Sequence, residues 1–130
     1  MTDKEWKTFF CICARVLGTG EGLSSHSQSW CAWTTFASLS ESVHYWSAGL
    51  PAESELAAVG TTDGGTWRQP FLYSSLAHVV IPREFYWEIQ TPTAFEHGVR
   101  QQDLQALSRE LAAARIGHRI TELVLEIKLY

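Results

Sequence analysis

The hydrophobic pattern of this chain changes its period from one end to the other, and that change constrains the fold most. Near the N-terminus, Trp6, Phe9, Phe10, Cys13, Val16 and Leu17 recur three or four residues apart, which gathers them on one side of a helix. At the C-terminus, Leu123, Leu125, Ile127 and Leu129 alternate with Glu122, Val124, Glu126 and Lys128. That two-residue period belongs to a strand with one face buried and the other partly wet. A chain carrying both patterns must pack helix against sheet. Strands concentrate in the second half, an order that favours α+β over a regular βαβ array. At 130 residues, one domain spanning 1–130 is expected, with enough chain to build a core without disulfides or metal.

Local signals place the elements. Thr2 and Glu5 have capping-box spacing, so a helix is predicted over 2–17 with Gly18 at its end. Gly18–Ser29 reads as a polar, flexible loop. Phe36, Leu39, Val43 and Trp46 suggest a helix within 30–48, with Ser38 and Glu41 as a second capping pair. Trp30, Cys31 and Trp33 then lie on an extended approach or an earlier helical turn. Gly49 and Pro51 stop that helix, and a short one is predicted at Ala52–Val59. Asp63-Gly64-Gly65 signals a turn. Leu76–Ile81 has strand length and Pro82 interrupts it. Glu84–Gln90 then sets Phe85, Trp87 and Ile89 against Glu84, Tyr86 and Glu88. The two runs either pair as a hairpin or form one strand bent at Pro82. Leu104, Leu107 and Leu111 mark a helix over 99–116, with Gly117 as its stop. The expected architecture is therefore helices on a small, mainly antiparallel sheet containing 76–81, 84–90 and 121–129, with a C-terminal β-α-β segment. Leu123, Leu125 and Ile127 should be buried, and Glu122 and Glu126 exposed.

Charge excludes some partners. The net charge of -4 falls entirely on residues 1–65, while 66–130 balance. There is no basic footprint for nucleic acid, and no apolar run long enough for a membrane helix. The acidic half suits either solubility or encounter with a basic protein. The start MTDKEW lacks a basic region before an apolar core, so no leader is expected. Three cysteines, an odd number, argue against a disulfide framework and for a reducing, cytoplasmic setting. The chain has no Asn, which removes N-glycosylation and any Asn-containing triad.

Few residues stand at spacings that carry chemistry. Cys11 and Cys13 point about 200° apart on a helix, and the five His are scattered, so no metal or cofactor is expected. Gly18, Gly20 and Gly22 follow a helix rather than a strand, which is the wrong order for a phosphate cradle. Cys31 follows a polar loop and precedes a predicted helix, where a thiol pKa is lowered. His78 opens a strand and can serve as general base, with Glu88 or Gln90 to orient it. Over Trp30–Phe36 and His78–Ile81 this order resembles small papain-like amidases and peptidases. It departs from them at Cys31-Ala32-Trp33, which lacks their surrounding residues. The resemblance implies a cysteine-dependent hydrolase using Cys31 and His78. Glu84 and Glu88 lie about 13 Å apart at about 3.3 Å per residue, too far for paired-carboxylate glycoside chemistry.

The six Trp complete the pattern. Trp6, Trp46 and Trp87 fall on predicted apolar faces, and Trp30 and Trp33 also read as core. Trp67, beside Arg68 in a Gly-rich stretch, reads as a surface anchor, because Trp and Arg are enriched at binding hot spots. The leading expectation is a small cytoplasmic, non-catalytic protein that binds and masks a partner, as an inhibitor or immunity protein does. Its binding surface would comprise Trp67, Arg68, Glu84, Tyr86 and Glu88. The cysteine hydrolase is the alternative, and a self-associating domain or homodimer paired at a strand edge is a third reading.

Overall fold

A computed structural model describes residues 1–61 and 70–130 of the chain. Helix α1 spans Asp3–Leu17. The Thr2 side chain accepts from the Glu5 amide, and Glu5 accepts from the Thr2 amide, so two of the free amides at the helix start are satisfied. Gly18, at φ 84, closes the other end and donates to the Ala14 carbonyl. Trp6, Phe9, Phe10 and Cys13 are buried, as the helical period requires.

Strand β1 (Cys31–Thr35) runs directly into helix α2 (Phe36–Glu41). Thr35 caps α2 by accepting from the Ser38 amide. The helix is shorter than its apolar spacing suggests and starts before the Ser38 and Glu41 pair. It ends where Val43 takes φ 53, and β2 (Trp46–Ala48) follows. In 52–59 only a single 3-10 turn forms, at Glu53–Glu55. The short strands β3 (Gly60–Thr61) and β4 (Phe71–Leu72) pair with each other. Strand β5 (Leu76–Pro82) continues through Arg83 into β6 (Glu84–Gln90), which pairs with β7 (Phe95–Gln101). Helix α3 (Leu104–Ala113) starts at Asp103, whose carboxylate accepts from the Ala106 amide. The chain ends in β8 (Arg119–Ile120) and β9 (Val124–Lys128).

The main sheet has the order β2-β1-β5-β9-β8, and every neighbouring pair in it is antiparallel. The mixture of helix and antiparallel sheet is compatible with the α+β expectation. Four details differ. The run 84–90 lies outside the main sheet and does not pair with 76–81, because β5 and β6 are one continuous path that passes from one sheet to the next. Residues 99–101 are strand, so α3 begins only at Leu104. It lies between β7 and β8, strands of different sheets, and so does not connect two strands of one sheet. Its end comes at Arg115, with φ 59 and an Ile116 to Leu111 hydrogen bond, rather than at Gly117.

One face of the main sheet makes the core. Cys31, Trp33, Val79, Ile81, Leu125 and Ile127 pack with the apolar side chains of α1 and with Leu104, Leu107 and Leu111 of α3. Leu123 is 76% exposed and Glu126 is buried, the reverse of expectation at both positions. Thr121 explains the first: its side chain accepts from the Leu123 and Val124 amides, holding Leu123 in a turn before the strand begins. Glu126 is buried on the opposite, polar face of the sheet. Trp6 and Trp33 are buried, whereas Trp30, Trp46 and Trp87 are only half-buried.

The segment 18–29 is docked against the body rather than loose. Gly20 donates to the Leu50 carbonyl and Gly49 to the Glu21 carbonyl. The two backbones cross so closely that a Cβ on Gly49 would sit 2.3 Å from the Gly20 Cα. Ser27 and Ser29, both buried, accept from the Glu21 and Leu50 amides. Gln102 ties the body to the hairpin exit. Its buried side chain accepts from the Trp30 amide and donates to the Trp30 and Pro82 carbonyls.

Candidate functional site

The polar face of the main sheet carries a connected set of titratable groups. Register places Thr34 opposite His78, His78 opposite Lys128, Val80 opposite Glu126, and Arg119 opposite Glu126. Thr34 and Ser38 both donate to the His44 carbonyl, at 2.6 and 3.0 Å. These bonds fix the turn after α2 and bring Tyr45 over the sheet. The Tyr45 hydroxyl then lies 2.8 Å from His78 Nδ1 and 3.5 Å from the Tyr130 hydroxyl. On the other side of the ring, His78 Nε2 lies 2.9 Å from Glu126 Oε2. Arg119 Nε donates to Glu126 Oε1 at 2.5 Å.

Electrostatics fixes the charge on Glu126. The His78 and Glu126 side chains are only 12% and 8% exposed. Burial alone would raise the Glu126 pKa. Hydrogen bonds from His78 and Arg119, and the charge of Arg119, outweigh it and hold the carboxyl below its ordinary value. Glu126 is therefore an acceptor for the His78 Nε2–H. Burial first, then the Tyr130 hydroxyl and the Glu126 charge, push the Tyr45 phenol up to about 12. Tyr45 thus stays protonated at neutral pH, its hydroxyl hydrogen-bonded to His78 Nδ1. Lys128 Nζ lies 4.5 Å from the centre of the Tyr130 ring. A groove of about 400 Å³, lined by His118, Arg119, Glu126, Lys128 and Tyr130 among others, borders the set.

The sequence places His78 on a strand with Glu88 or Gln90 to orient it and Cys31 as nucleophile, whereas the groups beside the ring are Glu126 and Tyr45. Cys31 is on the core face of the sheet and fully buried, whereas His78 is on the polar face. Burial also raises the Cys31 thiol pKa, opposite to activation. The expected Cys31–His78 pair is therefore not brought together. Glu88 is bonded to Tyr86 at 3.0 Å in the other sheet, and the ring partner of His78 is Glu126, not Glu88 or Gln90. Among the described residues no three His, Cys, Asp or Glu side chains converge to hold a metal ion.

The second candidate surface is the β6–β7 hairpin. Register puts Glu84 opposite Gln101, Tyr86 opposite Val99, Glu88 opposite His97 and Gln90 opposite Phe95, all on one face. Tyr86, Phe95 and Val99 are 51%, 56% and 54% exposed, and the His97 ring lies 5.9 Å from Tyr86 and 5.2 Å from Phe95. The opposite face holds the hairpin to the body. Phe85 stacks on Trp30 at 6.0 Å. Arg100 crosses the Trp87 ring at 5.2 Å and donates to the Ser24, Ser25 and Ser27 carbonyls. Glu84, Tyr86 and Glu88 are thus together on an outward face, joined by Phe95, His97 and Val99, which the sequence did not single out because β7 lacks an apolar alternation. Trp67 and Arg68 lie outside the described residues.

Compared with family models, curated proteins and solved structures, the chain matches none. No helix among the described residues is long and apolar enough to cross a membrane.

Proposed function

We propose that the chain is a small α+β binding module that masks a protein partner through the outward face of the β6–β7 hairpin. One observation carries this reading: Tyr86, Phe95 and Val99 form an exposed apolar strip on a hairpin whose other face is fastened to the body. Exposed aromatics on a fixed backbone supply contact area at little entropic cost. Glu84 and Glu88 flank the strip, so the partner should present an apolar patch ringed by Lys or Arg. The three free thiols support a reducing, cytoplasmic setting for this encounter.

The test compares affinity capture from the native host by the parent chain and by a Tyr86→Ala/Phe95→Ala double variant. A stoichiometric partner with a basic surface should be retained by the parent and lost by the variant, with affinity reduced about 30-fold or more, as expected for interface hot spots. Glu88→Gln should slow association and reduce its salt dependence. Equal capture by both chains would overturn the proposal, as would concentration-dependent self-association through this face with no other partner bound.

A further inference from the structure

The β6–β7 hairpin carries a second surface, distinct from its outward face. The two strands pair along their whole length without a register shift, and among the described residues β7 pairs with no other strand. The Thr91 amide donates to the Ala94 carbonyl, and the Gln102 amide donates to the Arg83 carbonyl. Those two bonds fix the alternation of the antiparallel ladder. Glu96, Gly98 and Arg100 turn their N–H and C=O groups towards β6, and Phe95, His97, Val99 and Gln101 turn theirs away. All four residues of that outer edge are exposed, and so is Glu96.

Free edges are ordinarily kept short, or blunted with proline, lysine or a bulge. The main sheet follows the rule, because its edge strands β2 and β8 have three and two residues. Strand β7 has seven residues, with no proline, lysine or bulge. Its charges are instead self-complementary about Gly98, with Glu96 two residues before it and Arg100 two residues after. A second copy laid antiparallel with a twofold axis at Gly98 sets Glu96 opposite Arg100 twice. It also sets His97 opposite Val99 and Phe95 opposite Gln101. The backbone agrees with this register. The outward-turned pairs 97 with 99 and 95 with 101 become the hydrogen-bonded pairs, and 96 with 100 become the closer pairs in which side chains interact most. Moving the axis to His97 or Val99 keeps the backbone bonds but sets Gly98 opposite Glu96 or Arg100, and both charge pairs are lost. Within its own chain Arg100 donates to the uncharged carbonyls of Ser24, Ser25 and Ser27. Among the described residues neither Glu96 nor Arg100 belongs to an ion pair.

We infer that the β7 edge is occupied by the β7 edge of a second copy of this chain, joined antiparallel about Gly98 into a four-stranded sheet in the order β6-β7-β7-β6. The interface is isologous, so it closes as a dimer and leaves neither β7 edge open for further addition. It uses the edge and leaves the outward face of the hairpin free, so it stands independently of the masking function. The two exposed strips then lie side by side on one continuous sheet.

The experiment is sedimentation equilibrium of the full chain from micromolar to millimolar concentration, with residue-resolved amide exchange at both ends of that range. The mass should rise from 14.6 kDa to twice that value. The amides of His97 and Val99 should gain protection as the dimer fills, whereas that of Gly98, bonded to β6, should be protected throughout. Val99→Pro removes an outward N–H without touching the β6 ladder. Glu96→Arg sets like charges opposite each other twice. Each should weaken dimerisation about 10-fold or more, and circular dichroism separates loss of pairing from loss of fold. Tyr86→Ala, on the outward face of β6, should leave the dimer unchanged, so a failure of partner capture and a failure of dimerisation are read separately. The inference is overturned if the parent chain stays monomeric at millimolar concentration, if both edge variants dimerise as the parent does, or if protection at His97 and Val99 does not rise with concentration.

Discussion

Glu5 shows how one exposed side chain can couple the start of a helix to pH. Its backbone and side-chain hydrogen bonds with Thr2 hold its carboxyl below its ordinary value of 4.5. A carboxyl depressed in the folded state contributes stability that is present above its unfolded pKa and is lost as pH falls through the folded one. The N-terminal cap should therefore be intact at pH 6 and weaken progressively below about pH 4.5. Glu5→Gln keeps an acceptor at the same position but cannot titrate. Amide exchange in the first turn of α1, compared at pH 6 and pH 3.5 after correction for intrinsic rates, should lose protection in the parent chain and change less in the variant. Equal losses in the two chains would show that the cap is not the group titrating. At the same scale Gln102 does what neither a charge nor a hydrophobic residue could: it satisfies both the N–H and the C=O of Trp30, and the Pro82 carbonyl.

Elements whose signals are local are the ones legible in the sequence. Thr2, Glu5 and Gly18 lie within reach of the backbone they cap, so α1 can be read to within a residue. The alternation of Leu125 and Ile127 likewise gives the buried face of β9. Elements settled by distant partners are not legible. Phe36, Leu39, Val43 and Trp46 have helical spacing, yet Trp33 faces Trp46 across a strand pair, and that pairing prevails over the period. The partner of β6 is hidden because β7 carries Gly98 and charged residues where a recognisable strand would be apolar. Gly98 is there for contact, since a Cβ would sit 2.9 Å from the Trp87 indole nitrogen. The polar-face centre was half legible: His78 stands out, but Tyr45, Glu126, Arg119 and Tyr130 meet it only through sheet order. Gly20 shows the same limit, because its role depends on Gly49. Gly49→Ala places a methyl against backbone atoms that cannot rotate away, so it should destabilise the chain by about 1–3 kcal/mol or more. Urea denaturation measures this, and a shift below about 0.5 kcal/mol would mean that the crossing readily opens.

At the scale of the whole molecule, the three thiols lie at graded depths and report on different openings. Cys11 is half-buried, while Cys13 and Cys31 are buried in the core beneath α1 and the main sheet. Burial raises the pKa of all three, and most for the two core thiols. Under native conditions a maleimide should label Cys11 first. Cys13 and Cys31 should react only as fast as the core opens, and together, because α1 and the sheet bury both. Rapid labelling of Cys31 in the folded chain would contradict this packing.

The passage of β5 into β6 through Arg83 has a mechanical consequence. A partner that pulls on the hairpin pulls on a strand that is central in the main sheet, flanked by β1 and β9. Antiparallel hydrogen bonds lie across the strand axis, so the component of tension along β5 loads its ladders in shear rather than parting them bond by bond. The surface proposed to hold a partner is thus continuous with the strand best placed to bear the load.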